Sequence, residues 1–157
     1  MMPLIIGIDA KKMLGMCLST NMIDNKTVEL WQRFMPRRKE IAHAISTDLF
    51  AIQVFDEAYD FGRYNPDALF DKWACVEVGS FDNIPEGFLP FELSGGLYAV
   101  FLHKGFEPSF EYIFGEWLPN NRHYELDNRP HFEILGEKYK RNDEHSEEEI
   151  WIPIKTK

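Results

Sequence analysis

One succession of elements, strand, helix, strand, strand, can be read twice along this chain, and such a repeat constrains the fold more than any single segment does. In the first half, residues 13–20 (MLGMCLST) predict a strand, and the polar turn from Asn21 to Lys26 follows. Thr27 is placed to cap a helix, and Glu29 complements the positive end of its dipole. Leu30, Phe34, Ile41 and Ile45 recur at helical spacing, with Pro36 set to kink or divide the helix they predict. Residues 49–56 and 70–78 predict two strands around a loop that contains Gly62, Asn65 and Pro66. The stretch SFDNIPEGFLPFELSGG, with two prolines and three glycines, reads as an irregular connector.

In the second half, residues 97–105 (LYAVFLHKG) predict a strand rich in β-formers. Phe110, Ile113, Phe114, Trp117 and Leu118 form one apolar helix face, ended by Pro119, Asn120 and Asn121. Strands are predicted at 131–135 (HFEIL) and 149–154 (EIWIPI), with a charged loop from Gly136 to Glu148 between them. Short echoes accompany the repeat: Phe34-Met35-Pro36 against Trp117-Leu118-Pro119, and Trp73 against Trp151. The expected fold is α+β, with tandem βαββ modules at about 12–82 and 95–155 within one domain, 1–157. Its sheet is largely antiparallel, with helices packed on it.

The opening MMPLIIGIDAKK lacks the basic and long apolar regions of a signal peptide, and reads as an early strand or a mobile end. No run of about 18 apolar residues predicts a membrane span. Cys17 and Cys75 are the only cysteines and read as reduced thiols, so a cytoplasmic location is expected. With 26 acidic and 17 basic side chains, net −9, the chain lacks the basic stripe of a nucleic-acid binder. The aromatic content is high: 13 Phe, 6 Tyr and 4 Trp, more than a small core needs, so some rings are free to line a pocket.

No phosphate-binding glycine loop and no nucleophile elbow is present. The five histidines lack metal-ligand spacing, so neither a metal nor a cofactor is expected, and no catalytic constellation is visible. Glu133 stands out. Strand alternation places it on one face with His131 and Leu135, among bulky apolar neighbours. If that face meets water, Glu133 is an ordinary surface charge. If it faces a cavity, a desolvated carboxylate beside aromatic rings attracts cations. Arg122, Arg129 and Lys138 are near enough in sequence to neutralise it instead.

The segments LYAVFLHKG (97–105), YIFGEWLPN (112–120), YELDNRPHFE (124–133) and EEEIWIPIK (147–155) resemble the GyrI-like effector-binding domain. That domain occurs at the C-terminus of AraC- and MerR-type drug-responsive regulators and as free-standing proteins, including integron-associated ones. LWQRFMP (30–36) and KWACVEV (72–78) resemble its N-terminal module, so the likeness spans roughly 12–155. It implies two βαββ units related by pseudo-twofold symmetry around a central cleft. It also implies an acidic residue there, falling on Glu133, that contacts lipophilic cations. Trp73, Trp151, Tyr112 and Trp117 are the aromatic candidates for the cleft wall, Tyr112 the better placed helix residue and Trp117 the more suited to the core. The chain starts almost directly with this module, so a DNA-reading domain is not expected, and a partner regulator would supply any transcriptional output.

Two activities follow from the resemblance. The first is non-catalytic binding of amphipathic, aromatic or cationic small molecules. The second is hydrolysis of a lipophilic substrate, with Glu133 as general acid or base. Catalysis needs a second positioned group that the sequence does not identify, which favours binding. A macromolecular target such as a topoisomerase has no local sequence support.

Overall fold

The computed structural model describes all 157 residues. The chain runs β1 (Leu4–Ile8), β2 (Lys11–Thr20), α1 (Thr27–Phe34), β3 (Leu49–Phe55), β4 (Phe70–Glu77) and β5 (Leu89–Leu93). It continues through β6 (Gly96–Lys104), α2 (Ser109–Tyr112), β7 (Tyr124–Leu126), β8 (His131–Leu135) and β9 (Glu147–Thr156). A 3₁₀ turn, Met35–Glu40, extends α1, and a π-helical turn, Ile113–Trp117, extends α2. The fold is α+β with an antiparallel sheet, in agreement with the sequence.

The strand order is β1-β6-β9-β8-β3-β4-β2-β5, with the short β7 beside β9. Outward from the β8–β3 joint, the first unit supplies β3, β4 and β2, and the second supplies β8, β9 and β6. The elements of both units therefore stand in the same order. The outermost strands are exchanged: β1 precedes β2 but pairs with β6, whereas β5 precedes β6 but pairs with β2.

Three local expectations need correction. The segment read as a connector contains β5, whose Pro90 sits opposite Leu14. Proline is tolerated there because β5 is an edge strand with no ladder on its outer side. The first helix stops at Phe34 instead of running to Ile45, because Pro36 cannot donate within it and the chain tightens into a 3₁₀ turn. Ile41 is still buried, but Ile45 is exposed. Thr27 does not cap α1; its backbone N–H donates to Asn25 Oδ1 at 3.0 Å instead.

The sheet has two unlike faces. On one, α1 and its extension cover Leu14, Ala74 and Val76 with Leu30, Phe34 and Ile41. On the same face, α2 and its extension cover Ala99, Phe101, Ile150, Ile152 and Ile154 with Ile113. The other face carries Met13, Phe50, Ile52, Trp73, Leu93, Tyr98, Phe132 and Trp151 in one cluster. Because this cluster draws on strands from both halves and on edge strand β5, the twisted sheet coils around it.

Arg129 fastens the second half. Its guanidinium donates to the carbonyls of Gly95 (3.1 Å), Leu97 (2.5 Å) and Ile154 (3.0 Å), while Nε donates to Asp127 Oδ2 (2.6 Å). It also lies over the Tyr98 ring, 4.6 Å from the centroid. Gly96 adopts φ +131°, and a Cβ there would come within 2.7 Å of Arg129 Nη1, so only glycine fits beside the guanidinium. Replacing Arg129 leaves three inward-facing carbonyls without their shared donor. Arg129→Ala is expected to lower stability by about 2–4 kcal/mol in urea denaturation, and Arg129→Lys to recover only part of it. An unchanged midpoint in the alanine variant would remove Arg129 from this role.

Candidate functional site

Side-chain alternation on the three central strands assembles the floor of the site. Gln53 of β3 pairs with Lys72 of β4 on one side and His131 of β8 on the other. One same-face position along, Ala51 pairs with Glu133, which in turn pairs with Ile150 of β9. All of these side chains project from the helix-covered face. The packing under α1 and under α2 does not meet over them, and a cavity of about 640 Å³ remains.

Aromatic rings form the cavity walls. Phe55 and Phe70 come from the ends of β3 and β4, Tyr59, Phe61 and Tyr64 from the loop between them, and Phe110 and Phe114 from the second helical segment. Phe61 stacks on His131 (centroids 5.0 Å, planes 13° apart) and on Phe114 (5.4 Å, 12°), so the loop and the helix meet across the sheet. Phe55 packs against Tyr59, Phe61 and Phe70 at 5.3, 4.9 and 5.1 Å. The π turn, marked by a bond from Leu118 N–H to the Ile113 carbonyl (2.9 Å), widens the helix where it flanks this wall.

The floor is electrostatically unusual. Glu133 lies deep in the molecule yet retains accessible surface, because it opens onto the cavity. No protein group hydrogen-bonds its carboxylate. Burial raises its carboxyl above the ordinary value, against the opposing pull of Lys72 and His103. Lys72 is only 8% exposed. With the Gln53 amide oriented so that its nitrogen donates to the His131 carbonyl (3.2 Å), its oxygen accepts from Lys72 Nζ; this orientation follows from the partners available. Burial lowers the lysine's pKa, while Glu133 and Glu148 support its charge. Burial and the neighbouring Glu133 push Glu148 up to about 7. Burial pushes His131 down to about 3, so at neutral pH it is an uncharged ring in the stack.

Of the five residues singled out in the sequence, only Glu133 lines the cavity. Trp73 and Trp151 project from the opposite face, where Trp73 packs on Phe91 (4.8 Å) and Trp151 stacks on Phe132 (5.1 Å). Trp117 packs edge-on to Phe101 at 5.2 Å, within the α2 core. The Tyr112 hydroxyl donates to the Met1 carbonyl at 3.0 Å. The basic residues considered as neutralisers of Glu133 do not reach it: Arg129 pairs with Asp127 and Lys138 with Glu147, while Arg122 is exposed. The sequence reading missed Lys72, although the alternation Phe70, Lys72, Ala74, Val76 marks it as a charge on an apolar face. It also missed the rings at 55–70, which only the course of the loop brings together.

The profile of the integron-associated effector binding protein family matches residues 5–154. The transcriptional regulator BrlR of Pseudomonas aeruginosa is 30% identical over 131 residues, which cover 80% of this chain and 45% of the regulator. The matched stretch thus spans less than half the length of that relative. Among solved structures, SAV2435 bound to tetraphenylphosphonium superposes with a TM-score of 0.73 at 15% identity, covering 99% of this chain and 94% of that one. The integron cassette protein VCH_CASS2 from the mobile metagenome of Vibrio cholerae gives 0.62 at 18% identity, covering 98% and 95%. At these identities the structures establish the shared fold, and the profile match establishes the family. The chain belongs to the integron-associated effector binding proteins, a GyrI-like family.

Proposed function

We propose that the protein is a non-catalytic binder of amphipathic aromatic or cationic small molecules, taken up in the ring-walled cavity with Glu133 selecting positive charge. One observation carries this reading: a deep carboxylate, without a hydrogen-bond or ion-pair partner, opens onto a cavity walled by rings. A cation seated there gains a charge partner that burial has already stripped of most of its water. Each ring face it meets adds about 0.5–2 kcal/mol. Stacking and one charge demand little exact shape, so several ligands fit the same chemistry.

The wall differs from the one expected in sequence. Phe55, Tyr59, Phe61, Phe110 and Phe114 take the place of the tryptophans. The ligand bound to SAV2435, a lipophilic aromatic cation, is of the class this cavity suits. The likeness to BrlR supports a regulatory setting, with a partner regulator converting ligand occupancy into output.

Calorimetric titration with tetraphenylphosphonium tests the reading. The wild-type protein is expected to bind it saturably, and Glu133→Gln to weaken binding at least about tenfold, corresponding to about 1.4 kcal/mol. Triphenylphosphine oxide, neutral and similarly aromatic, should respond little to the substitution. Equal binding of the cation by both proteins would eliminate Glu133 as the charge selector.

The pH dependence has a definite sign. Protonation removes the charge that attracts the cation, and burial holds the Glu133 carboxyl above its ordinary value, with Glu148 pushed up to about 7. Affinity for the permanently charged cation should therefore climb as pH rises from about 5 to about 8. The rise should be shallower in Glu133→Gln. A flat wild-type profile over this interval would contradict the assignment.

A further inference from the structure

The cavity floor carries two opposite charges that do not meet. Lys72 on β4 and Glu133 on β8 flank β3 and are offset by one same-face position, since Lys72 pairs with Gln53 and Glu133's partner is Ala51. Strand spacing and rise then put their Cα atoms about 12 Å apart. Neither belongs to any ion pair of the molecule. The lysine ammonium has three donors, and only the Gln53 amide oxygen takes one. Both side chains line the same cavity. Of the other ionisable groups on this face, His131 is an uncharged ring, and Glu148 and His103 approach each other at 3.9 Å.

We propose that Lys72 is a second recognition point, so that the cavity takes aromatic zwitterions, ligands carrying both a cationic centre and a carboxylate or comparable anion, in preference to simple monocations. This inference rests on Glu133 as the cation selector and deepens that reading. A monocation beside Glu133 lies on the same floor as the buried lysine ammonium, and repulsion between these like charges is screened less than at an exposed surface. A zwitterion supplies each buried group with an opposite charge and uses the lysine donors that Gln53 leaves open. The rings between the two poles accept the aromatic body in either case. The charge separation across β3 sets the ligand's orientation as well, with its cation towards β8 and its anion towards β4.

Two dyes with one xanthene core test this on the full chain: rhodamine 6G, an ethyl ester and a monocation, and rhodamine 19, its free acid and a zwitterion at neutral pH. Fluorescence anisotropy of the wild-type protein should give rhodamine 19 the higher affinity, by about tenfold. Lys72→Met keeps an unbranched side chain of nearly the same length and removes the charge. It should reverse the order, strengthening rhodamine 6G and weakening rhodamine 19. A wild-type preference for rhodamine 6G would overturn the proposal without any variant. So would an affinity ratio unchanged in Lys72→Met, with Glu133 still the cation selector if Glu133→Gln weakens both dyes. Failure of both dyes to bind the wild-type protein would overturn the zwitterion proposal and the underlying reading together.

Discussion

The pairing of β3 with β8 is the contact on which the rest of the molecule depends. Leu49–Gln53 lies against His131–Leu135 and is the ladder that joins the two units at the middle of the sheet. It brings Lys72, contributed through β4, and Glu133 to one surface although they are far apart in sequence. Slipping this register by one residue would turn Glu133 and His131 into the aromatic cluster and Phe132 out of it. The register is held because Phe132 is already engaged on the far side by Phe50, Tyr98 and Trp151. The dry face of the sheet therefore positions the chemistry on the other.

The abundance of rings is divided between two tasks by that same alternation. The tryptophans of β4 and β9, together with Tyr98 and Phe132, build the interior around which the sheet coils. Phenylalanines and tyrosines from the β3–β4 loop and the second helical segment surround the cavity instead. His131 behaves as one of these rings because burial strips it of charge. The result is a polar floor under an apolar wall, with the floor's charges held apart by an intervening strand.

Much of this was legible in the sequence and some was not, for identifiable reasons. The repeated βαββ order, and the face shared by His131, Glu133 and Leu135, followed from periodicity, a local property that the sheet preserved. Trp73 and Trp151 echo each other in sequence, yet both belong to the core and not to the cavity wall. Periodicity shows that two side chains share a face but not which face is enclosed. Of the edge strands, β5 reads as a connector because it contains a proline, and β1 reads as either a strand or a mobile end because it is short and largely exposed; both depend on partners distant in sequence. Lys72 was overlooked because one lysine in a strand ordinarily reaches water, whereas here the rings of a neighbouring loop close above it.

The exchange of edge strands has a consequence for how the chain acquires its structure. Leu4 pairs with Val100, and Leu14 with Pro90, so each unit borrows its border from a segment that precedes the other. Neither unit can finish its sheet as an isolated piece. The nascent first half emerges with β1 still waiting for a strand made much later, and its last edge closes only when β5 follows. Such long-range pairing slows folding and couples the two units into one cooperative event. The cavity between them forms in that event too, since its floor is complete only when both units are.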